Sequence, residues 1–283
     1  MMKNLKIICD SLSDIPKELI DKHDIEVVPL TVILGGKEYK DGIDISNDEF
    51  YKMIKEQNEY PKTSQATYAQ FKEVFEKYVN EGRKILYISG SSVATGTYQS
   101  AVMAKNDIGG EIYTYDSQAF SYVIGILVVK AAELAEQGKD INEILDEIEK
   151  LREKAYVLFS VDTLEYLQKG GRISSTKAAI GGILNIKPIL DIRDGLVVPV
   201  CQVRGKKNVT SKMIDLIKEN CGTNLTNQVI CIGYSDDFKE KDKLTEVVKE
   251  QFNPKGILYF QIGTCVGSHA GPGLTAIICL KNK

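Results

Sequence analysis

Three short segments of the chain are rich in hydroxyl groups and glycine, and their composition suits the binding of an anion. They are Thr63-Ser64-Gln65, then Gly90-Ser91-Ser92 with Thr95-Gly96-Thr97, and 267–273. The first two stand directly before predicted helices. Because the first amides of a helix lack partners and the helix dipole is positive there, such a segment favours a carboxylate or a phosphate. The alternative is that these serines and threonines only cap the helices that follow.

Three charged or titratable side chains are further candidates for an anion site. His269, one of two histidines, stands among glycines that let the backbone approach a ligand closely. The alternative for His269 is a solvated histidine in a turn. Arg172 and Arg204 each stand beside glycine and could grip a carboxylate or phosphate, although such arginines are more often only solvated. We predict that a helix capped by Ser174 or Ser175 follows Arg172.

The hydrophobic pattern of the first half predicts strands that alternate with helices. The predicted strands are 5–9, 26–34, 84–89 and 111–115. The predicted helices are one ending near His23 with Asp14 as its N-cap, and those at 46–55, 66–80, 97–106, 120–135 and 141–151. This alternation is typical of a parallel sheet that is covered on both faces.

The second half has a different pattern. It predicts strands at 156–161, 186–192, 196–203, 229–234, 257–262 and 275–280, helices at 207–220 and 239–252, and a loop at 267–273. Asp194-Gly195 predicts a hairpin turn, and antiparallel pairing is expected only in this half. We therefore predict the α/β class, with a parallel three-layer α/β/α sheet domain at 1–155 that carries the first two hydroxyl segments. A smaller two-layer α+β domain with a mixed sheet is predicted at 156–283.

Composition excludes several classes of protein. The chain has 283 residues, 43% of them hydrophobic and 27% charged, with a net charge of -3, so a basic nucleic-acid surface is not expected. The sequence contains no apolar run of about 18 residues, so stable membrane insertion is not expected. The start of the chain does not match a signal peptide. We therefore expect a cytoplasmic protein. Six cysteines without a C-x-x-C pair do not match a zinc site and are expected to be buried thiols.

The sequence also lacks the motifs of common catalytic sites. It has no Walker phosphate loop, no G-x-S-x-G elbow and no G-x-G-x-x-G after the first strand. The segment Gly267-Ser268-His269-Ala270-Gly271 has the elbow's glycine spacing but carries His at its centre. The polar segments therefore predict a site that binds an anion, without a recognisable catalytic motif.

Motifs in order along the whole chain resemble the DegV family, whose members include the fatty-acid-binding subunits of bacterial fatty acid kinase. They are Asp10-Ser11-Leu12-Ser13-Asp14-Ile15-Pro16, Pro29-Leu30 with Tyr39-Lys40-Asp41-Gly42, Thr63-Ser64-Gln65, Ser91-Ser92 with Gly96-Thr97-Tyr98-Gln99-Ser100-Ala101, Gly170-Gly171-Arg172-Ile173-Ser174, and His269-Ala270-Gly271-Pro272-Gly273. Two places depart from the family pattern. The family usually has L-S-G-T where this chain has Ala94-Thr95-Gly96-Thr97. The family's T-S-Q motif is usually followed by Pro-Ser, and here it is followed by Ala66-Thr67. Both keep a hydroxyl, so binding is expected to survive.

The resemblance implies a parallel α/β domain followed by a smaller mixed-sheet domain, with a long-chain fatty acid between them. It implies that Thr63 or Ser64, and Ser91 or Ser92, hold the carboxylate. Residues implied near the head group are Arg172, His269, Gly267, Ser268 and Gly271, and Arg204 is implied in docking a kinase subunit. The chain would then be a carrier without a cofactor or an enzymatic step of its own. A separate ATP-dependent fatty acid kinase subunit would form the acyl phosphate for phospholipid synthesis.

Two other functions use the same residues. An acyl hydrolase would pair His269 with Ser91 or Ser92, although no acid that would orient the histidine is identifiable. A nucleotide or sugar-phosphate binder would use the same glycine- and serine-rich segments.

Overall fold

A computed structural model describes residues 4–57, 59–173 and 185–282. The strands in these ranges are β1 Leu5–Asp10, β2 Glu26–Val28, β3 Thr31–Leu34, β4 Lys37–Lys40, β5 Lys62–Ser64, β6 Lys84–Ser89, β7 Ile112–Asp116, β8 Ala155–Ser160, β9 Ile186–Arg193, β10 Leu196–Arg204, β11 Val229–Tyr234, β12 Gly256–Gln261 and β13 Thr275–Leu280. The α-helices in these ranges are α1 Lys17–His23, α2 Asn47–Gln57, α3 Tyr68–Asn80, α4 Thr97–Ile108, α5 Tyr122–Glu136, α6 Ile141–Lys154, α7 Glu165–Lys169, α8 Val209–Cys221, α9 Phe238–Phe252 and α10 Thr264–Ala270. None of the described helices is both long and apolar enough to pass through a membrane.

The first half contains the predicted parallel sheet, with strand order β2-β1-β6-β7. Its central strand β6 has consecutive buried residues, Ile85 to Ser89, so both faces of the strand are covered. Helices α3 and α4 pack against one another and against β6 and β7, while α5 packs on β1 and β6 and carries α1 and α6. The prediction of a parallel α/β sheet is confirmed.

The predicted strand at 26–34 is wrong, because the structure contains two strands that belong to different sheets. β2 pairs with β1 in parallel, whereas β3 pairs antiparallel with β4 and β5. Pro29 separates them; it has no amide hydrogen to donate, so it interrupts the ladder. The three-stranded sheet β4-β3-β5 also corrects the expectation that antiparallel pairing occurs only in the second half. It places Thr63 on β5.

The second half contains a six-stranded mixed sheet with the order β10-β9-β8-β13-β11-β12. The predicted hairpin is confirmed: Asp194 and Gly195 both have positive φ, as a tight two-residue turn requires. Side chains alternate between the two faces of this sheet. One face forms a core with α8 and α9, through residues such as Leu158 and Ile277, and the opposite face points toward the first half.

The predicted loop at 267–273 is wrong in part, because 264–270 form helix α10. Its first amides are held by carboxylates from the first half. Asp14 Oδ1 accepts from the amide of Gly263 at 3.0 Å, and Asp41 Oδ1 accepts from the amide and hydroxyl of Thr264 at 3.1 and 2.6 Å. Asp14 is therefore not the N-cap of α1, a position that Pro16 occupies. Tertiary partners stabilise α10, and Gly271 with positive φ ends it.

The two halves are joined without a linker, since α6 ends at Lys154 and β8 begins at Ala155. Residues of both halves belong to one continuous apolar cluster. The division into domains 1–155 and 156–283 stays a prediction. The helix predicted after Arg172, with Ser174 or Ser175 as its cap, lies outside the described residues.

Candidate functional site

A cavity of about 440 Å³ lies between the two halves of the molecule. The mixed sheet supplies one wall from five of its strands, through Val197, Ile192, Phe159, Ala276 and Phe260. The first half supplies the opposite wall, and α10 lies along the cavity with Cys265, Val266, His269 and Ala270. Most of the lining side chains are apolar. This volume and lining are typical of a small-molecule site.

The polar side chains that line the cavity include residues from three of the predicted segments. Thr63 and Ser64 come from β5, Arg172 from the turn after α7, and His269 from the last turn of α10. Thr63 Oγ1 and His269 Nε2 are 2.8 Å apart and share a hydrogen bond. The structure therefore brings together two residues separated by 206 positions in the sequence. Thr63 and Ser64 lie on a strand, and the N-cap of the following helix α3 is Thr67, so the reading of these two as helix caps is wrong.

The segment 90–97 lines the cavity with different residues from those predicted. Thr95 and Gly96 line it, whereas Ser91 and Ser92 are not among the lining residues. The hydroxyl of Ser91 is fully buried and donates to the carbonyl of Gly195 at 2.8 Å, in the β9–β10 turn. The hydroxyl of Ser92 donates to Asp116 at 2.5 Å. Neither serine caps α4, whose N-cap is Gly96.

Thr95 is positioned by its neighbours in the turn before α4. Its Oγ1 accepts from the amide of Thr97 at 3.2 Å and lies 2.8 Å from the Thr97 hydroxyl. Gln65 packs against Gly96, where an added Cβ would overlap the amide group of its side chain, and donates to Ser100 at 3.0 Å. Only glycine leaves room for this contact, which joins the Thr63 and Thr95 segments at one end of the cavity.

Arg172 and His269 also lie close together, because both contact Gly170. The guanidinium of Arg172 donates to the carbonyl of Gly170, and the ring of His269 packs against the Cα of the same glycine. A side chain at Gly170 would overlap the imidazole. The five N–H groups of an arginine exceed what one carbonyl can accept, so among the described residues Arg172 has donors left for a ligand.

Burial decides the charge of His269. Loss of water around the ring, with a smaller contribution from the positive charge of Arg172, lowers the pKa of His269 to about 4. The imidazole is therefore neutral near pH 7, with one ring nitrogen protonated. Nδ1 is buried and has no hydrogen-bond partner among the described residues, while Nε2 contacts Thr63. A proton on Nε2 would be donated to Thr63 and would leave the threonine hydroxyl hydrogen free for a ligand.

Three aspartates hold residues that line the cavity or stand next to its lining. Asp10 accepts from the Tyr87 hydroxyl at 2.7 Å and from the Gly90 amide at 3.1 Å, and Asp14 accepts from Ser121 at 2.5 Å. Burial raises the pKa of Asp10 to about 6 and raises the pKa values of Asp14 and Asp41. Because these carboxylates hold the ends of backbone segments, their role here is structural.

The remaining predicted residues do not line the cavity. Gly267 packs against Tyr51, and the Ser268 hydroxyl donates to Thr264 within α10. Gly271 ends that helix against the ring of Tyr166. Arg204 is exposed at the end of β10 remote from the turn. The first three position His269 or its helix, and Arg204 belongs to the outer surface.

Sequence reasoning named Gln65, Thr95 and Gly96 only as parts of the polar segments, without a role, and did not name Ser121. All four line the cavity. The L-S-G-T position, which reads Ala94-Thr95-Gly96-Thr97, was the signal that pointed to Thr95. Within the described residues no group of histidine, cysteine and acidic side chains is arranged to hold a metal ion. Of the six cysteines, Cys201 is partly exposed and the other five are buried.

Comparison with known proteins assigns the chain to a family. The model of the DegV family, whose description is that of an uncharacterised protein, matches residues 4–282. The chain belongs to the DegV family. A DegV domain-containing protein of Caldanaerobacter subterraneus subsp. tengcongensis is 36% identical over 98% of this chain and 98% of its own length. The predicted family is therefore confirmed.

Two solved structures show the same fold over nearly the whole chain. A DegV family protein from Thermus thermophilus, described by its fatty acid binding, is 31% identical with a TM-score of 0.90 and covers 98% of this chain and 99% of its own. A stearic acid-binding protein from Eubacterium ventriosum is 26% identical with a TM-score of 0.89, over 98% of both chains. The predicted DegV-like architecture is therefore confirmed.

Proposed function

We propose that this chain binds one long-chain fatty acid in the cavity between its two halves and presents the carboxylate to a separate kinase subunit. The observation that carries the proposal is the lining of the cavity, which is mostly apolar and whose polar residues, apart from Ser121, form one cluster joined by contacts. A fatty acid is likewise mostly apolar, with one polar group. Relatives at 31% and 26% identity are described as binding fatty acid and stearic acid, which supports the same ligand class here.

The two ends of the ligand have separate tasks in this proposal. Burial of the tail supplies the affinity, because each buried methylene contributes about 0.8 kcal/mol, and about fifteen give on the order of 12 kcal/mol before the cost of association. The head group fixes the orientation, because a buried carboxylate without hydrogen bonds would be unstable. The binding site therefore needs a donor cluster at one end only.

We assign the carboxylate to the hydroxyls of Thr63 and Thr95. His269 donates from Nε2 to Thr63, so that the Thr63 hydroxyl donates to the ligand. Arg172 supplies positive charge beside the head group, which also suits the additional charge of an acyl phosphate. Ser64 lines the cavity near Thr63 and is a second donor from the same strand. Ser91 and Ser92 take a structural role, because their hydroxyls already have partners.

The kinase step follows from the resemblance to fatty acid kinase subunits. The partner would bring ATP, the product would be an acyl phosphate for phospholipid synthesis, and the chain would act as a cytoplasmic carrier without a catalytic step of its own. Arg204 is exposed and away from the cavity, which suits a docking contact.

The hydrolase alternative is not favoured by the hydrogen bonds. His269 contacts Thr63, whereas the hydroxyls of Ser91 and Ser92 donate to Gly195 and Asp116. No pair of histidine and nucleophilic serine is therefore formed between these residues. A nucleotide is not favoured either, because an apolar wall does not match its polar base and phosphates.

Lipid binding is tested with Thr63→Val, which keeps the size of the side chain and removes its hydroxyl. Loss of one hydrogen bond to a charged group is expected to weaken the binding of palmitate about tenfold or more, measured by native mass spectrometry and by competition with a fluorescent fatty acid. Thr31→Val is the matched control, since Thr31 lies on the neighbouring strand β3 and does not line the cavity. Absence of fatty acid from the wild-type protein, before and after addition, would refute the proposal.

Kinase docking is tested with Arg204→Ala. The variant should bind fatty acid as the wild type does and be phosphorylated more slowly by the ATP-dependent subunit. Lys249→Ala, which removes an exposed positive charge from α9, serves as the control. Equal loss of lipid binding and phosphorylation in the Arg204 variant would contradict a separate docking role.

A further inference from the structure

The polar end of the cavity lies at one edge of the mixed sheet. Ile173, next to Arg172, forms a bridge with Val197 on the edge strand β10. Ser91, in the segment that carries Thr95, donates to Gly195 in the β9–β10 turn. The other edge strand, β12, contributes Phe260 to the cavity wall. Since β10 and β12 are five strand spacings apart, the two edge strands that contribute to the cavity wall are about 24 Å apart.

A row of four directly paired residues crosses the sheet toward that far edge. Phe159 pairs with Ala276, Ala276 pairs with Gly233, and Gly233 pairs with Phe260. Directly paired residues project from the same face of a sheet. The row therefore has two small residues between two phenylalanines. Ala276 lines the cavity and Gly233 does not, although both lie on this row.

The ring of Phe260 explains why Gly233 is hidden. A Cβ placed on Gly233 would overlap the end of this ring, so the ring lies directly over the glycine. On its other side the ring stacks on Tyr122 of α5, with centroids 4.9 Å apart and an angle of 25° between the planes. Both aromatic side chains are buried. Phe260 is therefore fixed in one position, and that position covers the last part of the row.

We infer that Phe260 is the end wall of the acyl site and sets the longest chain that the protein accepts, an inference that rests on the proposed function. An extended hydrocarbon advances about 1.2 Å per bond, one third of the ~3.6 Å that a three-bond residue spans. The ring of Phe260 lies over β11, four strand spacings or about 19 Å from β10, and this distance corresponds to about 16 bonds. Removal of the ring uncovers Gly233 and adds one strand spacing, about 4.8 Å or four carbons.

The test compares Phe260→Ala with the wild type, using saturated acids of increasing chain length in a competition assay. The chain length bound most tightly should increase by about four carbons, and the affinity for the longest acids relative to palmitate should rise about tenfold or more. Tyr259→Ala is the matched control, because it removes an aromatic ring from the opposite face of the same strand, and its profile should equal that of the wild type. Phe260→Leu should also increase the chain length that is bound most tightly, by fewer carbons. This variant is used if the alanine variant fails to fold.

The outcomes separate this inference from the function on which it rests. If wild type and variants bind fatty acids with the same chain-length profile, the role of Phe260 is refuted and the proposed function stands. If none of the folded proteins binds any fatty acid, both are refuted. A longer optimum in the Tyr259 control would also refute the assignment, since the change would then not depend on the cavity wall.

Discussion

The two faces of the mixed sheet are built by the same strands and have opposite properties. On one face, α8 and α9 cover the strands and form a closed core, to which Leu158 and Ile277 belong. On the other, the first half and α10 cover the strands and leave a cavity. Ala276 of β13 and Gly233 of β11 are directly paired and lie on the cavity face. The next pair along these strands, Ile277 and Ile232, lies on the core face. Side-chain size and the covering elements therefore decide which face holds a ligand.

The strongest test of this comparison substitutes two adjacent residues of β13. Ile277→Ala removes side-chain atoms from the closed core and should lower the free energy of unfolding by about 2–5 kcal/mol. Ile278→Ala removes the same atoms from the cavity wall, where fewer contacts are lost, and should cost clearly less. Denaturant unfolding of the protein without lipid measures both changes. Equal losses would show that the two faces are equally well packed.

A second test uses pH, because the polar end of the cavity contains a buried histidine. Burial lowers the pKa of His269 to about 4 from an ordinary 6.5, so between these values the unfolded chain binds a proton that the folded chain does not. Stability should therefore fall as pH drops from about 6.5 to about 4, by on the order of 3 kcal/mol. Other groups titrate in this range, so the informative quantity is the difference between the wild type and His269→Gln. This difference should shrink toward acid pH, and a constant difference would contradict a neutral, buried His269.

The smallest expected effects, on affinity and on stability, decide whether the hydroxyl of Thr95 or that of Ser91 binds the carboxylate. Thr95→Val should weaken fatty acid binding about tenfold, because it removes one of the two donors that we propose for the carboxylate. Ser91→Ala should leave the affinity nearly unchanged and instead lower stability by about 1 kcal/mol, through loss of the hydrogen bond to Gly195. A competition assay and a denaturant titration on each variant separate the two roles. The reverse pattern would restore Ser91 as the carboxylate ligand.

Local patterns were sufficient to predict most of the fold. The two predicted strands at 186–192 and 196–203, with the Asp194-Gly195 turn between them, predicted the hairpin that the structure contains. The predictions failed where tertiary contacts override local signals. Helix α10 is short and rich in glycine, and the carboxylates that hold its start come from Asp14 and Asp41, more than 220 residues away. Pro29 was the available sign that the long predicted strand is divided in two.

The site was predictable by residue type and less so by residue number. Thr63, Ser64, Arg172 and His269 line the cavity. Ser91 and Thr95 carry similar hydroxyls in one segment, and only the backbone path decides which of them faces the cavity. Chain-length control by Phe260 was not predictable, because it depends on the register that sets this ring over Gly233 and on its contact with Tyr122.

The direct passage from α6 into β8 has a thermodynamic consequence. Ala155 already belongs to the strand, and its amide still donates to Leu151 of the helix, so no residue there is free to act as a hinge. To swing the halves apart would also break the bonds from Asp14 and Asp41 to the start of α10. The ligand cavity is therefore enclosed within one cooperative unit, whose three sheets should melt together.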